Sequence, residues 1–375
     1  MKNTLIIVVL YLTANLANAS TVEDGKIAFQ NKDYLTALKI FREEAKNNDS
    51  TAQLMLATIY IEGLGVEKNP DLAFKLMNQA ALNGNPYAQH QLAVMYQEGM
   101  GTKKNLLAAI RMYKKSAEQG IAAAQLGLGS MYENGKGVNK DIKEAVRLYK
   151  LAADKNLPAA QHNLAVLYES GLGVSKDSNE AFRLYKLAAS QGMREAQFAL
   201  GLMLDNGNTV KQDYVEAFKW YQMSAAQGYP DAQNNLGTMY ANGLGVSQDY
   251  VQAEKWYRLA ANQGFDIAQF NLASIYDKGQ GVKQNYVEAL KWYRLGAENN
   301  NIDAQFNLGV LYAKGQGVPQ NLIKAYVWIY VPVLKGDAAA KDSLNKIAKL
   351  MSPKDIASAQ KLARDCLARN FKGCD

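Results

Sequence analysis

The chain has 375 residues, of which 48% are hydrophobic and 21% charged, and a formal net charge of +7. That length is long for one compact core but natural for a one-dimensional array. The charge is only mildly basic and no nucleic-acid-binding motif accompanies it, so no nucleic-acid partner is expected; with two cysteines the fold must rely on packing.

Residues 1–19 read as a cleavable secretory leader. Lys2 supplies the positive start, residues 5–12 the apolar core, and Ala17-Asn18-Ala19 a small-x-small site with the cut expected after Ala19. The apolar run is too short to span a bilayer, and no Cys follows the cut to carry a lipid. No later stretch is long and apolar enough for a membrane span. Loss of the leader removes only Lys2 among charged residues and lowers the net charge from +7 to +6. A mature chain that is secreted or periplasmic is expected.

Residues 20–51 keep the register of the repeats beyond them. Asp33, Ala37, Ala45 and Asn48 sit 36 residues before Asn69, Ala73, Ala81 and Gly84. A short helix over 21–29 and a second over 34–47 form an N-terminal capping hairpin, which an array needs because its end unit has one uncovered face.

Residues 52–339 are eight repeats. The pair Ala-Gln recurs at 52–53, 88–89, 124–125, 160–161, 196–197, 232–233, 268–269 and 304–305, always 36 residues apart. A fixed period of this size marks a solenoid. After Gln233, Leu236, Gly237 and Tyr240 fall at helical spacing, so the first half is an amphipathic helix A. Gly243 and Gly245 end it and open a turn. Asp249 is an N-cap with Gln252 as a capping-box partner, and Ala253, Trp256, Tyr257, Ala260 and Ala261 form the stripe of helix B, which Gly264 ends. The cap position holds only Asn or Asp in all repeats, and Glu144, Glu180, Glu216 and Glu288 occupy the box position. The terminator holds Gly84, Gly120, Asn156, Gly192, Gly228, Gly264, Asn300 and Gly336, residues that tolerate positive φ. In one repeat Leu204 replaces the Tyr and Thr209 the second Gly, which predicts a distorted A–B turn.

In residues 340–375, Ala340 and Leu344 keep the period while Lys341 replaces the Gln. A ninth helix A is expected over 338–350, then a capping helix over 353–368 with Ser352 as N-cap and Pro353 in first position. Pro332, inside the eighth helix B, is expected to shorten or kink it. Cys366 and Cys374 could pair in an oxidising compartment or remain free thiols in the tail.

These residues at this period resemble Sel1-like repeats, relatives of the tetratricopeptide repeat, from roughly Ala52 to Gly336 and into both flanks. The resemblance implies an all-α, right-handed α-solenoid of stacked helix hairpins with capping helices at both ends, serving as a protein-interaction surface. By analogy with tetratricopeptide repeats, residues one, five, eight and nine after each Gln face the concave side. They are Phe198, Asp205 and Asn206; Asn234, Thr238 and Asn242; Phe270, Asp277 and Lys278; and Phe306 and Lys314. They vary while the core does not, and their aromatic and polar mixture suits a peptide or protein partner, unless the phenylalanines tuck against the neighbouring helix A.

A second surface is basic. Lys75, Arg111, Arg147, Arg183, Lys219, Lys255 and Lys291 share one position of helix B, and Lys114, Lys150, Lys186, Arg258 and Arg294 lie three residues on. The stripe could meet anionic lipid headgroups, or its members could be solvated residues paired with nearby Glu.

No catalytic constellation, metal set or cofactor motif emerges. His90 and His162 share one repeat position but lie two repeats apart, with no carboxylate or Cys cluster beside them. The Gly-x-Gly-Val turns follow helices and lack the Lys of a P-loop. Trp220, Trp256, Trp292 and Trp328 share a helix B position held elsewhere by Leu76, Met112, Leu148 and Leu184, which reads as packing between hairpins. The resemblance extends to exported Sel1-repeat proteins of intracellular bacterial pathogens. It implies a non-enzymatic scaffold binding host proteins during invasion and vacuole trafficking; the alternative is a periplasmic adaptor for envelope or peptidoglycan proteins. Some cysteine-rich relatives are linked to β-lactam binding or hydrolysis, but this chain lacks their cysteines.

Overall fold

A computed structural model of the chain describes residues 21–369 together with Phe371, Gly373 and Cys374; the expected leader lies outside them. The described residues form twenty helices and no strand. They fall into two compact units divided after Leu187. The first runs α1 (Thr21–Gln30), α2 (Tyr34–Lys46), α3 (Ser50–Glu62), α4 (Pro70–Leu82), α5 (Pro86–Glu98), α6 (Leu106–Glu118), α7 (Ala122–Asn134), α8 (Ile142–Ala153) and α9 (Pro158–Ser170). The division falls within α10 (Ser178–Ser190). The second continues with α11 (Arg194–Asn206), α12 (Tyr214–Ala226), α13 (Pro230–Asn242), α14 (Tyr250–Asn262), α15 (Asp266–Lys278), α16 (Tyr286–Glu298), α17 (Ile302–Lys314), α18 (Leu322–Leu334), α19 (Ala338–Ala348) and α20 (Pro353–Ala368). Odd-numbered helices are the A members and even-numbered ones, up to α18, the B members. Within each unit a helix packs chiefly on its sequence neighbours, so repeated hairpins form a solenoid.

The period of the sequence becomes the period of the core. The Ala of every Ala-Gln pair, from Ala52 to Ala304, is fully buried, and the following Leu, from Leu56 to Leu308, is at most 4% exposed. The small residue after that Leu sets the A–B distance. A Cβ on Gly129, Gly201 or Gly237 would come within 2.7–2.8 Å of the ring of Tyr149, Tyr221 or Tyr257 on helix B. A glycine there lets a tyrosine lie directly on the helix A backbone.

Every helix B cap from Asn69 to Asn321 accepts the amide of the residue three on, at 2.9–3.1 Å. The capping-box expectation is corrected. The cap's own N–H is already donated to a helix A carbonyl, as Asp141 N to Tyr132 O and Asn285 N to Tyr276 O. The glutamates therefore reach forward: Glu144 to Arg147, Glu180 to Arg183, Glu288 to Trp292. The terminators sit at φ 60–89°, with Asn156 and Asn300 among the glycines.

The Gln of the Ala-Gln pair, unassigned by the sequence, is a buried link. Its Nε2 donates to the last carbonyls of the preceding helix B: Gln89 to Ala81 O, Gln197 to Ala189 O, Gln233 to Ala225 O, all at 3.2 Å. Its Oε1 accepts from an amide at the end of the following helix B: Gln119 to Gln89, Gln227 to Gln197 and Gln263 to Gln233, each 2.8 Å. One residue thus satisfies a helix C-terminus and ties successive hairpins together.

Three local expectations meet the structure differently. Pro332 does not shorten α18, which keeps the 13 residues of its counterparts. It sits in the last turn, where the ring removes one helical bond and the C-cap amide of Lys335 still reaches Pro332 O and Val331 O. α19 stops at Ala348 rather than residue 350. Thr209 is absent from the positive-φ positions among the described residues, where Gly245, Gly281 and Gly317 stand at 69–74° in other copies. In the tail, Cys366 and Cys374 form a disulfide, and Phe371 between them stacks on Trp328.

Candidate functional site

In six of the eight repeats the helix A residues gather around one helix B tyrosine, a place held by Met77 in the first repeat and Ile329 in the last. In four repeats the residue after the Gln lays its ring against the helix B tyrosine of its own hairpin: His90 on Tyr113, His162 on Tyr185, Phe198 on Tyr221 and Phe270 on Tyr293, with centroids 5.6–5.9 Å apart. The tyrosine hydroxyl then donates to the residue eight after the Gln: Tyr221 to Asp205 at 3.1 Å and Tyr293 to Asp277 at 3.3 Å. In the repeat of Asn234, Tyr257 instead meets Thr238, five after the Gln, at 3.0 Å.

This arrangement sorts the expected contact residues. Phe198, Phe270 and Phe306 are half-buried; the first two lie against the helix B tyrosine of their own hairpin, and Phe198 also packs edge-on against Tyr229, the residue that caps the neighbouring helix A, with centroids 5.2 Å apart. Asn234 is buried and accepts from Asn271 at 2.9 Å, so it links successive A helices instead of offering a free contact. Asp205, Asp277 and Thr238 are half-buried tyrosine partners. The positions nine after the Gln are the open ones: Asn206, Asn242, Lys278 and Lys314 are all exposed.

Sequence reasoning missed Glu133 and Glu169, which receive Tyr149 and Tyr185 at 2.6 and 2.8 Å. The signal was available: a polar residue recurs sixteen before each of these tyrosines. Burial foremost, with the facing carboxylate, holds Tyr149, Tyr185 and Tyr293 well above the ordinary tyrosine range. They are neutral donors that fix the carboxylates. His90 is 6% exposed, its Nδ1 has no partner, and burial lowers its pKa to about 4. It is a neutral ring in a core row. No group of three or more His, Cys, Asp or Glu among the described residues could hold a metal ion.

The basic ladder divides by partner. Arg147 and Arg183 make two-bond pairs with Glu144 and Glu180 at 2.7–2.8 Å, and Lys291 lies 3.9 Å from Glu288. Arg111, Lys219 and Lys255 are exposed. Four of the five members of the parallel row meet a tyrosine of the next helix A. Lys114 and Lys150 lie over Tyr132 and Tyr168 of the next helix A, Arg258 over Tyr276, and Arg294 donates to Tyr312 at 2.7 Å. Of the tryptophans, Trp292 and Trp328 are buried and Trp220 and Trp256 half-buried. No described helix is long and apolar enough to cross a membrane.

The family model described as Sel1 repeat matches residues 50–85, 86–121, 122–157, 158–193, 194–229, 230–265, 266–301 and 302–330. Comparison with curated proteins finds no match. Among solved structures, the chain is similar to c5321, a protective antigen of uropathogenic Escherichia coli strains with an SLR fold. The identity is 27%, with 94% of this chain and 85% of that one covered and a TM-score of 0.60. It is also similar to a Sel1 repeat protein from Oxalobacter formigenes, at 34% identity over 64% of this chain and 99% of that one, with a TM-score of 0.61.

Proposed function

The chain belongs to the Sel1 repeat family, a family of repeat scaffolds rather than catalysts, and from that premise we propose that it is an exported binding protein. Its partners are host proteins met during invasion of host cells and trafficking of the pathogen's vacuole. The observation that carries the reading is the division of labour along helix A. Tyrosine-centred clusters fix the backbone, while Asn206, Asn242, Lys278 and Lys314 stand exposed and differ between repeats. A rigid row loses little ordering entropy when a partner docks. Export rests on the leader-like residues 1–19, and the antigen description of the E. coli relative supports an accessible location. The test is fractionation of the producing bacterium with affinity capture from host lysate. Host proteins retained by the chain and lost on Asn206→Ala, Asn242→Ala, Lys278→Ala and Lys314→Ala together support the reading. Confinement to the periplasm, with envelope proteins retained instead, favours the adaptor.

Contact with anionic lipid narrows to Arg111, Lys219 and Lys255, since Arg147, Arg183 and Lys291 face their own glutamates. The two lysines are flanked by exposed Val215 and Met223 and by exposed Val251 and Leu259, and Arg111 by exposed Leu107, a pattern suited to a headgroup surface. Retention on anionic liposomes at low salt and release at high salt support it; salt-insensitive retention or none rejects it.

A further inference from the structure

Two clefts of the first unit are copies of one another. The first, about 490 Å³, lies between α6, α7 and α8, with Lys114, Tyr132, Glu144, Arg147 and Leu148 in its lining. The second, about 380 Å³, lies one repeat on and is lined by Lys150, Tyr168, Glu180, Arg183 and Leu184. Both volumes fall in the range of small-ligand sites, roughly 300–1,000 Å³.

The second unit occupies the equivalent position with its own side chain. Trp292 stands where Leu148 and Leu184 stand in the repeat register. Its Nε1 donates to Glu288 Oε2 at 3.2 Å. The Arg258 guanidinium lies 6.0 Å from the indole centroid and the Lys291 ammonium 5.2 Å from it. Arg258 also covers Tyr276. Every member of that shell has a counterpart in both clefts. Lys114 and Lys150 replace Arg258 and likewise cover Tyr132 and Tyr168, at 5.8 and 5.4 Å. Arg147 and Arg183 replace Lys291, and Glu144 and Glu180 replace Glu288. Only the indole is missing, and the shorter leucine leaves the space it would fill.

We propose that each cleft takes a tryptophan side chain from a partner polypeptide. The charges complement that side chain: two cations face the negative face of the ring, and a carboxylate meets the indole N–H. Glu144 keeps capacity for that bond, because each of its oxygens accepts only one bond from Arg147 and has a further lone pair. Leu151 and Leu187, in the two linings and 39% and 37% exposed, give the ring an apolar seat. The charged members of this site come from helix B and its tyrosine from helix A, and none of them belongs to the row of Asn206, Asn242, Lys278 and Lys314.

The test is fluorine NMR with N-acetyl-5-fluorotryptophanamide and the full chain, against the variant Leu148→Trp with Leu184→Trp. The wild-type chain should broaden the probe signal, unlabelled N-acetyltryptophanamide should compete, and N-acetylleucinamide should not. The filled variant should lose the broadening and melt at or above the wild-type temperature. If that variant does not fold, Lys114→Gln with Lys150→Gln serves instead, with binding expected to fall about two- to five-fold per cleft for a lost cation–π contact. No broadening by the wild type, equal competition by the leucine analogue, or unchanged binding in the variant that folds overturns the proposal.

Discussion

Gln263 Nε2 donates to Gln233 Oε1 at 2.8 Å, and Gln233 in turn donates to Ala225 O at 3.2 Å, so one side chain of α13 joins the ends of α12 and α14. The same link fails at two places. The residue thirty after Gln125 is Lys155, and thirty after Gln305 it is Lys335. Lys155 bonds Gly120 O, and Gln125 Oε1 and Gln305 Oε1 are left buried without a partner.

The links therefore differ in strength. Gln233→Leu should cost about 1–2 kcal/mol, because it removes two hydrogen bonds made by one buried side chain. Gln125→Leu should cost about 1 kcal/mol less, and Lys155→Gln should add about 1 kcal/mol by supplying the missing donor. Urea midpoints followed by circular dichroism check the order. Equal losses at positions 125 and 233 would remove the link from the account.

Two glycine positions should respond in opposite ways. A Cβ on Gly101 would stand 2.0 Å from Pro70 O, while one on Gly264 meets nothing within 4 Å. Gly101→Ala should be among the most damaging substitutions, at about 3 kcal/mol or more, as backbone must move. Gly264→Asn should cost less than about 1 kcal/mol, since Asn156 and Asn300 already hold its counterpart positions with positive φ. Thermal melting of the two variants checks this.

His90 makes stability sensitive to acid. Its folded pKa is about 4 against an ordinary 6.5. Above pH 6.5 neither state holds the proton and the residue is silent. As pH falls below 6.5 the unfolded chain gains a proton the folded chain refuses, so stability drops until about pH 4, by on the order of 3 kcal/mol. Phe occupies the counterpart positions 198, 270 and 306. His90→Phe should thus gain on the wild type between pH 6.5 and 4 and run parallel to it above; denaturation at stepped pH checks the difference.

Helix order, caps and terminators were legible because each is a local choice repeated in register. Asn at 156 and 300 already told that the terminator needs positive φ rather than glycine as such. What the sequence hid depends on partners far along the chain. Nothing local shows that Tyr132 O takes the N–H of Asp141 and so frees Glu144 from the capping box. The phenylalanines looked bare because the tyrosine that covers Phe198 lies on the next helix, at Tyr221. Pro332 read as a breaker because periodicity does not say that a proline in the final turn costs so little.

The binding face is tested most directly by site-specific photocrosslinking with the full chain in host lysate. A benzoylphenylalanine placed at Asn206, Asn242 or Lys314 should give the same discrete adduct, while one at Lys255 on helix B should give none of it. An adduct formed equally from Lys255, or absent from all three helix A positions, would contradict the assignment of that row as the docking surface.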